Sequence, residues 1–166
     1  MNDNEEKKSW DTLYEKYPYM FSNRHKSRRE SCMSFGVECS LGWYDIVSNV
    51  CYMIKQHEEN IIWQKEYKKK QDAKIQKDFG IKIEENKEYI PVKFDQIKEK
   101  FGGLRIYHSG GDDYIDGVIS MAESFSYEIC EICGERGKPN KGGWIVTLCD
   151  KCRSKSYDKN TVFIGG

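Results

Sequence analysis

Four of the chain's seven cysteines form two Cys-x-x-Cys pairs. The pairs are Cys130 with Cys133 and Cys149 with Cys152, and fifteen residues separate them. This spacing is typical of a site in which four thiolates hold a zinc ion. Because four thiolates complete a tetrahedron and leave no position for water or substrate, we expect a structural rather than a catalytic Zn²⁺.

Several cations lie close in sequence to these cysteines. A zinc ion with four thiolates carries a net charge of −2, so nearby cations can neutralise the cluster. The same cations can instead face the phosphates of a nucleic acid. Both roles are open, and neutralisation is the simpler interpretation. The cations are Arg136, Lys138, Lys141, Lys151 and Arg153.

A Gly-Gly pair between two strand-like runs predicts a β-hairpin. Both glycines can adopt positive φ without strain, so we expect Gly102 and Gly103 to form a two-residue turn. In that register Lys100 faces Arg105 across the two strands. Because like charges directly opposite each other destabilise a sheet, something negatively charged should lie beside them.

Two sources can supply that negative charge. One is an internal carboxylate from the acidic stretch at residues 112–116. The other is an anionic ligand, since Arg105 can make a bidentate pair with phosphate or carboxylate and Tyr107 offers a hydroxyl or a stacking plane. We favour internal pairing and keep the anion site open. The candidate ligand-binding residues on this face are Lys98, Lys100, Arg105 and Tyr107.

Trp43 and Tyr44 complete the candidate ligand-binding set. They stand at the start of the clearest helical pattern in the chain, in the run GWYDIVSNVCYMI. Their rings could stack on a base or another planar ligand. The alternative is that both rings fill the core, which is the more frequent role of aromatic residues at a helix start.

Catalysis, as a metal-dependent nuclease or phosphodiesterase, would have to rely on Asp112, Asp113, Asp116 and His108. The chain has three histidines, and none stands in a His-Asn-His or His-Glu-x-x-His arrangement. The aspartates are better explained as capping the helix that follows them. We therefore predict that the protein is not an enzyme, and leave open whether the three aspartates bind a second metal.

Hydrophobic periodicity predicts the elements that carry these residues. We expect a short helix capped by Ser9, a long helix opened by Gly42, and a third helix after Asp112 or Asp113. The strand before the hairpin changes phase, which predicts a β-bulge near residues 95–96. The fold class is α+β: helices packed on a small antiparallel sheet, with a C-terminal zinc-ribbon-like module.

Two regions are predicted along the chain. Residues 1–128 form an α+β body that includes a lysine-rich helical insertion at about residues 63–88. Residues 129–166 form the zinc module and a tail. Within the insertion, six lysines stand against three acidic residues between positions 65 and 78, and Gly80 is a helix stop.

Composition limits the setting and the partners. Lys and Arg total 27 against 27 for Asp and Glu, so a protein that coats DNA through net charge is excluded. The chain shows neither an apolar signal core nor a membrane-spanning run, and its cysteines are expected to be reduced thiols. We expect a cytoplasmic location and no membrane contact.

The chain resembles a group of small uncharacterised bacteriophage and prophage proteins. The resemblance is carried by the GWY helix start, by an EKFGGLR-type hairpin at residues 99–107 and by the four-cysteine tail. It extends over about two thirds of the chain and leaves out the lysine-rich insertion. It implies a zinc module and a phage origin, and with that origin the cytoplasm of a bacterial host. Small non-structural phage proteins frequently act on the host, so we expect a role directed at it.

Two functions follow as hypotheses. The first is a zinc-containing binding protein, active in counter-defence, that captures a nucleotide-like anionic ligand or a host defence protein. The alternative is a nucleic-acid-binding accessory protein that uses the zinc module and the basic arm at residues 24–29. Self-association into a homo-oligomer is open under both.

Overall fold

The computed structural model describes residues 8–80 and 88–157. Four α-helices lie in these ranges: α1 (Trp10–Lys16), α2 (Tyr44–Phe79), α3 (Asp113–Ser126) and α4 (Asp150–Tyr157). The strands are β1 (Val37–Glu38), β2 (Lys93–Lys100), β3 (Gly103–Ser109), β4 (Lys138–Pro139) and β5 (Thr147–Leu148). The predicted α+β class is confirmed. Of the helices described here, none is long and apolar enough to traverse a lipid bilayer.

The predicted helix boundaries follow from capping. The Ser9 hydroxyl accepts a hydrogen bond from the Asp11 N–H at the start of α1, and the Asp112 carboxylate accepts one from the Ile115 N–H at the start of α3. Helix α2 ends at Gly80, which takes the left-handed conformation with φ of 66°. These three predictions are confirmed.

Helix α2 is continuous for 36 residues. Its inner half buries one face in the core through Val47, Val50, Cys51 and Ile54, and Glu58 is the last residue of the helix to be buried. The lysine-rich segment predicted as an insertion continues this helix as far as Phe79. The rest of that segment, at residues 81–87, lies outside the described residues.

The main sheet has the strand order β1-β2-β3. Strands β2 and β3 form the predicted antiparallel hairpin, and the register shift between Phe94 and Gln96 confirms the predicted bulge. Strand β1 was not predicted. It pairs in parallel with β2, Val37 lying opposite Ile97, so the sheet is mixed rather than purely antiparallel.

The predicted hairpin turn was wrong by one residue, and the predicted strand pairing was therefore wrong by two. The turn residues are Phe101 and Gly102, both with positive φ, and Lys100 pairs with Gly103. Gly103 opens β3, where a Cβ would lie 2.4 Å from the Tyr127 ring. Glycine is therefore required at position 103 because the backbone packs closely on Tyr127, and not because of the turn conformation. Phe101, as a turn residue, is 68% exposed.

Helix α3 covers the outer edge of β3. The Ser126 hydroxyl accepts a hydrogen bond from the Leu104 N–H, and the Glu123 carboxylate accepts one from the Ile106 N–H, each at 2.8 Å. These side chains satisfy the backbone groups that an edge strand leaves unpaired. The sheet is therefore closed on this side by the helix that follows the hairpin.

Glu58 is a buried carboxylate that ties α2 to the segments around it. It accepts hydrogen bonds from the Tyr19 hydroxyl at 2.7 Å, from the Val92 N–H at 2.8 Å and from the Tyr89 hydroxyl at 3.4 Å. Burial and the bond to Glu58 raise the pKa of Tyr19. Glu58 is thus a structural acceptor whose hydrogen-bonding capacity is used.

We predict that Glu58→Ala lowers the free energy of unfolding by about 2 kcal/mol, because the buried Val92 N–H and Tyr19 hydroxyl lose their acceptor. Glu59→Ala, at the neighbouring exposed position, is expected to change it by less than about 0.5 kcal/mol. Urea denaturation followed by circular dichroism measures both. Equal effects of the two substitutions would contradict the assigned role of Glu58.

Candidate metal centre

The four cysteines of the two Cys-x-x-Cys pairs come together in space. The sulfurs of Cys130, Cys133, Cys149 and Cys152 all lie within 4.8 Å of one another, and the Cys133 and Cys149 sulfurs are 3.6 Å apart. Four sulfurs bound to one tetrahedral ion at about 2.3 Å would be roughly 3.8 Å apart. The predicted cluster can therefore hold a metal ion.

The first Cys-x-x-Cys pair forms a tight turn. The Gly134 N–H donates to the Cys130 carbonyl at 2.9 Å, and Gly134 has φ of 79°. This positive φ lets the chain reverse directly after Cys133. Gly134 therefore closes the turn that holds the first pair of cysteines.

The second pair spans the junction between β5 and α4. The Cys152 N–H donates to the Cys149 sulfur at 3.4 Å and lowers the pKa of that thiol to about 7. Burial raises the pKa of Cys152 to about 12. Since metals bind cysteine as thiolate, the backbone favours the ionised form at Cys149.

The first metal-binding turn packs on the start of α2. The Gly42 N–H donates to the Glu131 carbonyl at 2.8 Å, and the Trp43 indole N–H donates to the Ile129 carbonyl at 2.8 Å. A Cβ on Gly42 would lie 2.3 Å from the carbonyl oxygens of both Cys130 and Glu131. Only glycine allows this approach, which fixes the cluster against the body.

The hairpin turn holds the other side of the module. The Thr147 hydroxyl donates to the Gly102 carbonyl at 2.6 Å, and a Cβ on Gly102 would lie 2.7 Å from the Ile145 side chain. Strand β5 therefore lies against the β2–β3 turn. The module is joined to the body at two separate places, α2 and the hairpin.

Trp43 and Tyr44 do not present their rings to a ligand. Trp43 has an exposed fraction of 0%, and Tyr44 is also buried, with its ring 5.6 Å from that of Trp10. The proposed ligand-stacking role is wrong for these two residues. The alternative role in the core is confirmed, because the start of α2 is where the body meets the metal module.

Arg105 is engaged by its own protein. Its guanidinium donates to the Tyr127 hydroxyl and to the Leu104 carbonyl, each at 2.6 Å, and lies 3.9 Å from the Glu123 carboxylate. The residue opposite it is Lys98, not Lys100. Internal compensation, the interpretation we favoured, is therefore present, but it comes from α3 rather than from the aspartates at 112–116.

The other residues of the hairpin's candidate ligand-binding face also have neighbours. The Lys98 ammonium lies 5.5 Å from the centre of the Tyr107 ring, and the Lys100 ammonium lies 5.5 Å from that of Phe101. A shallow depression of about 310 Å³ adjoins Tyr107. Two carboxylates, Glu30 and Asp95, line it, which disfavours an anionic ligand there.

The predicted aspartate and histidine residues pair in a structural arrangement. The His57 ring contacts the Asp112 carboxylate at 2.8 Å, and the His108 ring contacts Asp116 at 3.2 Å. Burial opposes ionisation of Asp112, but the hydrogen bonds from His57 and Ile115 hold its pKa below the ordinary value. Within residues 8–80 and 88–157, the four cysteines are the one group that meets the geometry of a metal site.

Part of the predicted basic surface is used internally. The Arg24 guanidinium stacks 3.8 Å from the Tyr14 ring, and that of Arg28 lies 5.2 Å from the Phe35 ring. In the module, Arg153 donates to the Lys138 and Leu148 carbonyls. These arginines therefore stabilise the fold.

Trp144 is an exposed aromatic residue that sequence analysis did not select. It lies in the loop between β4 and β5 and is 80% exposed. The loop sequence KPNKGGW contains two lysines and no acidic residue, and this composition around an aromatic residue was the available signal. Periodicity could not find it, because the loop belongs to neither a helix nor an alternating strand.

Comparison with known proteins returned no match to a family model, to a curated protein or to a solved structure. The resemblance to small phage proteins, and the counter-defence role that it implies, stay predictions.

We predict that the reduced protein purifies with one tightly bound metal ion per chain, and that Cys149→Ser releases it because a ligand is lost. Cys32→Ser is the matched control, since Cys32 is exposed and stands outside the cluster. Metal content by inductively coupled plasma mass spectrometry decides the result. Retention of a full equivalent by Cys149→Ser would contradict the four-cysteine site.

Gly42→Ala tests the docking of the module. We expect it to destabilise the protein by about 2–3 kcal/mol and to weaken metal retention against a chelator, because the added Cβ collides with backbone carbonyls. Gly117→Ala is the control: it lies within α3, has open space around it, and should stabilise by up to about 1 kcal/mol. Thermal unfolding and chelator competition measure the two effects.

Proposed function

We propose that this protein binds single-stranded nucleic acid through the loop between β4 and β5, which a four-cysteine Zn²⁺ site holds in place. Zinc is the ion that best suits the cluster, because it accepts tetrahedral coordination by four soft thiolates. It would be held by Cys130, Cys133, Cys149 and Cys152, and would supply folding free energy rather than chemistry.

The observation that carries the proposal is the exposure of Trp144. With 80% of its surface in water, the indole of Trp144 is accessible to a ligand. A base can stack on such a ring, and stacking on aromatic side chains is the main sequence-tolerant contact in single-strand recognition. Trp144 offers this plane at the tip of the module.

The loop that carries Trp144 is ordered. The Asn140 amide donates to the Gly142 and Trp144 carbonyls at 3.0 Å each, and its oxygen accepts from the Val146 N–H at 2.7 Å. One side chain thus fixes the backbone on both sides of the tryptophan. A preorganised ring loses less entropy on binding than a ring on a mobile loop.

The charge around Trp144 suits a polyanion. Residues 136–148 include Arg136, Lys138 and Lys141 and contain no acidic residue. Arg136 pairs with Glu128 at 3.3 Å in an exposed contact, which phosphates can replace at little cost. Both lysines are exposed beside the loop. A local basic surface of this kind is compatible with the neutral net charge of the chain.

Capture of a small nucleotide-like anion has less support. The expected site depended on Arg105, whose guanidinium already contacts Tyr127 and Glu123, and the neighbouring depression is lined by carboxylates. Trp43 and Tyr44 are buried. The contacts of the described residues therefore favour the nucleic-acid alternative.

The test is binding of fluorescently labelled oligonucleotides, measured by anisotropy with metal-loaded protein at 50 and 200 mM salt. We expect saturable binding to a single-stranded 20-mer that weakens as salt rises, because phosphate contacts release counterions. Trp144→Ala should weaken binding by roughly 5- to 150-fold, the effect of losing one stacked base.

Trp63→Ala provides the matched control, because Trp63 is also exposed, at 61%, but lies on α2 outside the module. It should leave the affinity unchanged. The proposal fails if no oligonucleotide binds at low salt, or if the two tryptophan substitutions weaken binding equally.

A further inference from the structure

The outer half of α2 extends beyond the core. Past Glu58, the last buried residue of the helix, Ile62 and Trp63 are exposed and Phe79 reaches 74%. From Ile61 to Phe79 the helix covers about 27 Å. A helix of this length without tertiary packing is marginally stable in water, so a partner along it would stabilise it.

Six positions on this half form a straight seam. They are spaced by four, three, four, three and four residues, which is the heptad spacing of helices that pair side by side. Their side chains are apolar at both ends and charged in the middle. The seam residues are Ile61, Lys65, Lys68, Asp72, Ile75 and Phe79.

We propose that this seam binds the same seam of a second copy of the chain, with the two helices antiparallel. A two-fold axis beside residue 70 then places Ile61 opposite Phe79 of the second copy and Lys68 opposite Asp72 of the second copy. Lys65 meets Ile75 and can lay its aliphatic stem along it. Each of these layers occurs twice, as an isologous interface requires.

The charges select the antiparallel orientation. In a parallel pair each seam residue would meet its own counterpart, so Lys65, Lys68 and Asp72 would each face a like charge. In the antiparallel pair Lys68 and Asp72 form two ion pairs of opposite sign. Neither Lys68 nor Asp72 makes an ion pair with any other described residue. The seam is therefore complementary to itself in one orientation only.

Exposed aromatic residues on the other side of the helix argue against a lipid surface as the partner. Trp63 and Tyr67 stack on each other with ring centres 5.5 Å apart. By helical geometry they lie on the side opposite Ile61 and Phe79. A helix that lies in a membrane interface needs its apolar residues on one face.

In the antiparallel pair, Lys69 lies beside the seam and close to Lys69 of the second copy. The repulsion between these two like charges opposes pairing. With half of the seam residues charged as well, we expect a reversible dimer and not an obligate one. Sedimentation velocity of the metal-loaded full chain from 1 to 200 μM should show a monomer–dimer equilibrium.

Reversing the charges at the central positions of the seam tests the predicted pairing of Lys68 with Asp72 of the second copy. Lys68→Asp places four aspartates at the centre of the pair, and Asp72→Lys places four lysines there, so each should weaken dimerisation at least tenfold. The double variant Lys68→Asp/Asp72→Lys restores opposite charges and should recover the affinity. Mixing the two single variants should give a heterodimer, since the aspartates of one chain then face the lysines of the other.

Circular dichroism and metal content verify that each variant is folded, and both exchanged positions lie on the outer part of α2, beyond Glu58. A wild-type chain that stays monomeric at 200 μM overturns the proposal. This is also the result expected if a segment of the same chain covers the seam. Dimerisation that is unchanged by both single substitutions, or no heterodimer on mixing, overturns it as well.

Discussion

The backbone of Gly42 touches the first metal-binding turn so closely that no other residue fits. A Cβ at this position would lie 2.3 Å from the carbonyl oxygens of Cys130 and Glu131. On the other side of the module, Thr147 holds the carbonyl of Gly102 in the hairpin turn. The start of α2, the β2–β3 turn and the cysteine cluster are therefore one packed unit, and motifs far apart in the chain contribute to a single contact.

This contact decides how metal binding acts on the chain. The module has a small core of its own, formed by Cys130, Leu148 and Cys149, which is too little apolar surface to order it alone. Structural zinc supplies on the order of 10 kcal/mol in isolated zinc-finger peptides. Because the buried Trp43 bonds directly to Ile129, a metal ion bound at the four cysteines would stabilise α2 and the body as well as the module.

Sequence patterns predicted the features that local chemistry determines, such as the cysteine spacing, the Asp112 cap, the long helix and the bulge. They misplaced the hairpin turn because Gly103 is required by Tyr127, a residue of another element. Two partners of Arg105 were missed for the same reason, since Glu123 lies on α3 and Tyr127 directly after it. Trp144 was missed because its exposure depends on how the rest of the chain packs around it, and hydrophobic periodicity does not describe that packing.

The two proposed surfaces lie at opposite ends of α2, and this has a geometric consequence. Gly42, where the module docks, is 28 residues from the two-fold axis near residue 70, or about 42 Å along a straight helix. Antiparallel pairing would therefore set the two modules roughly 80 Å apart. Adjacent nucleotides cannot reach both loops over that distance, so a dimer of this kind would join separate segments of a strand, or two strands, and would gain avidity only on long substrates.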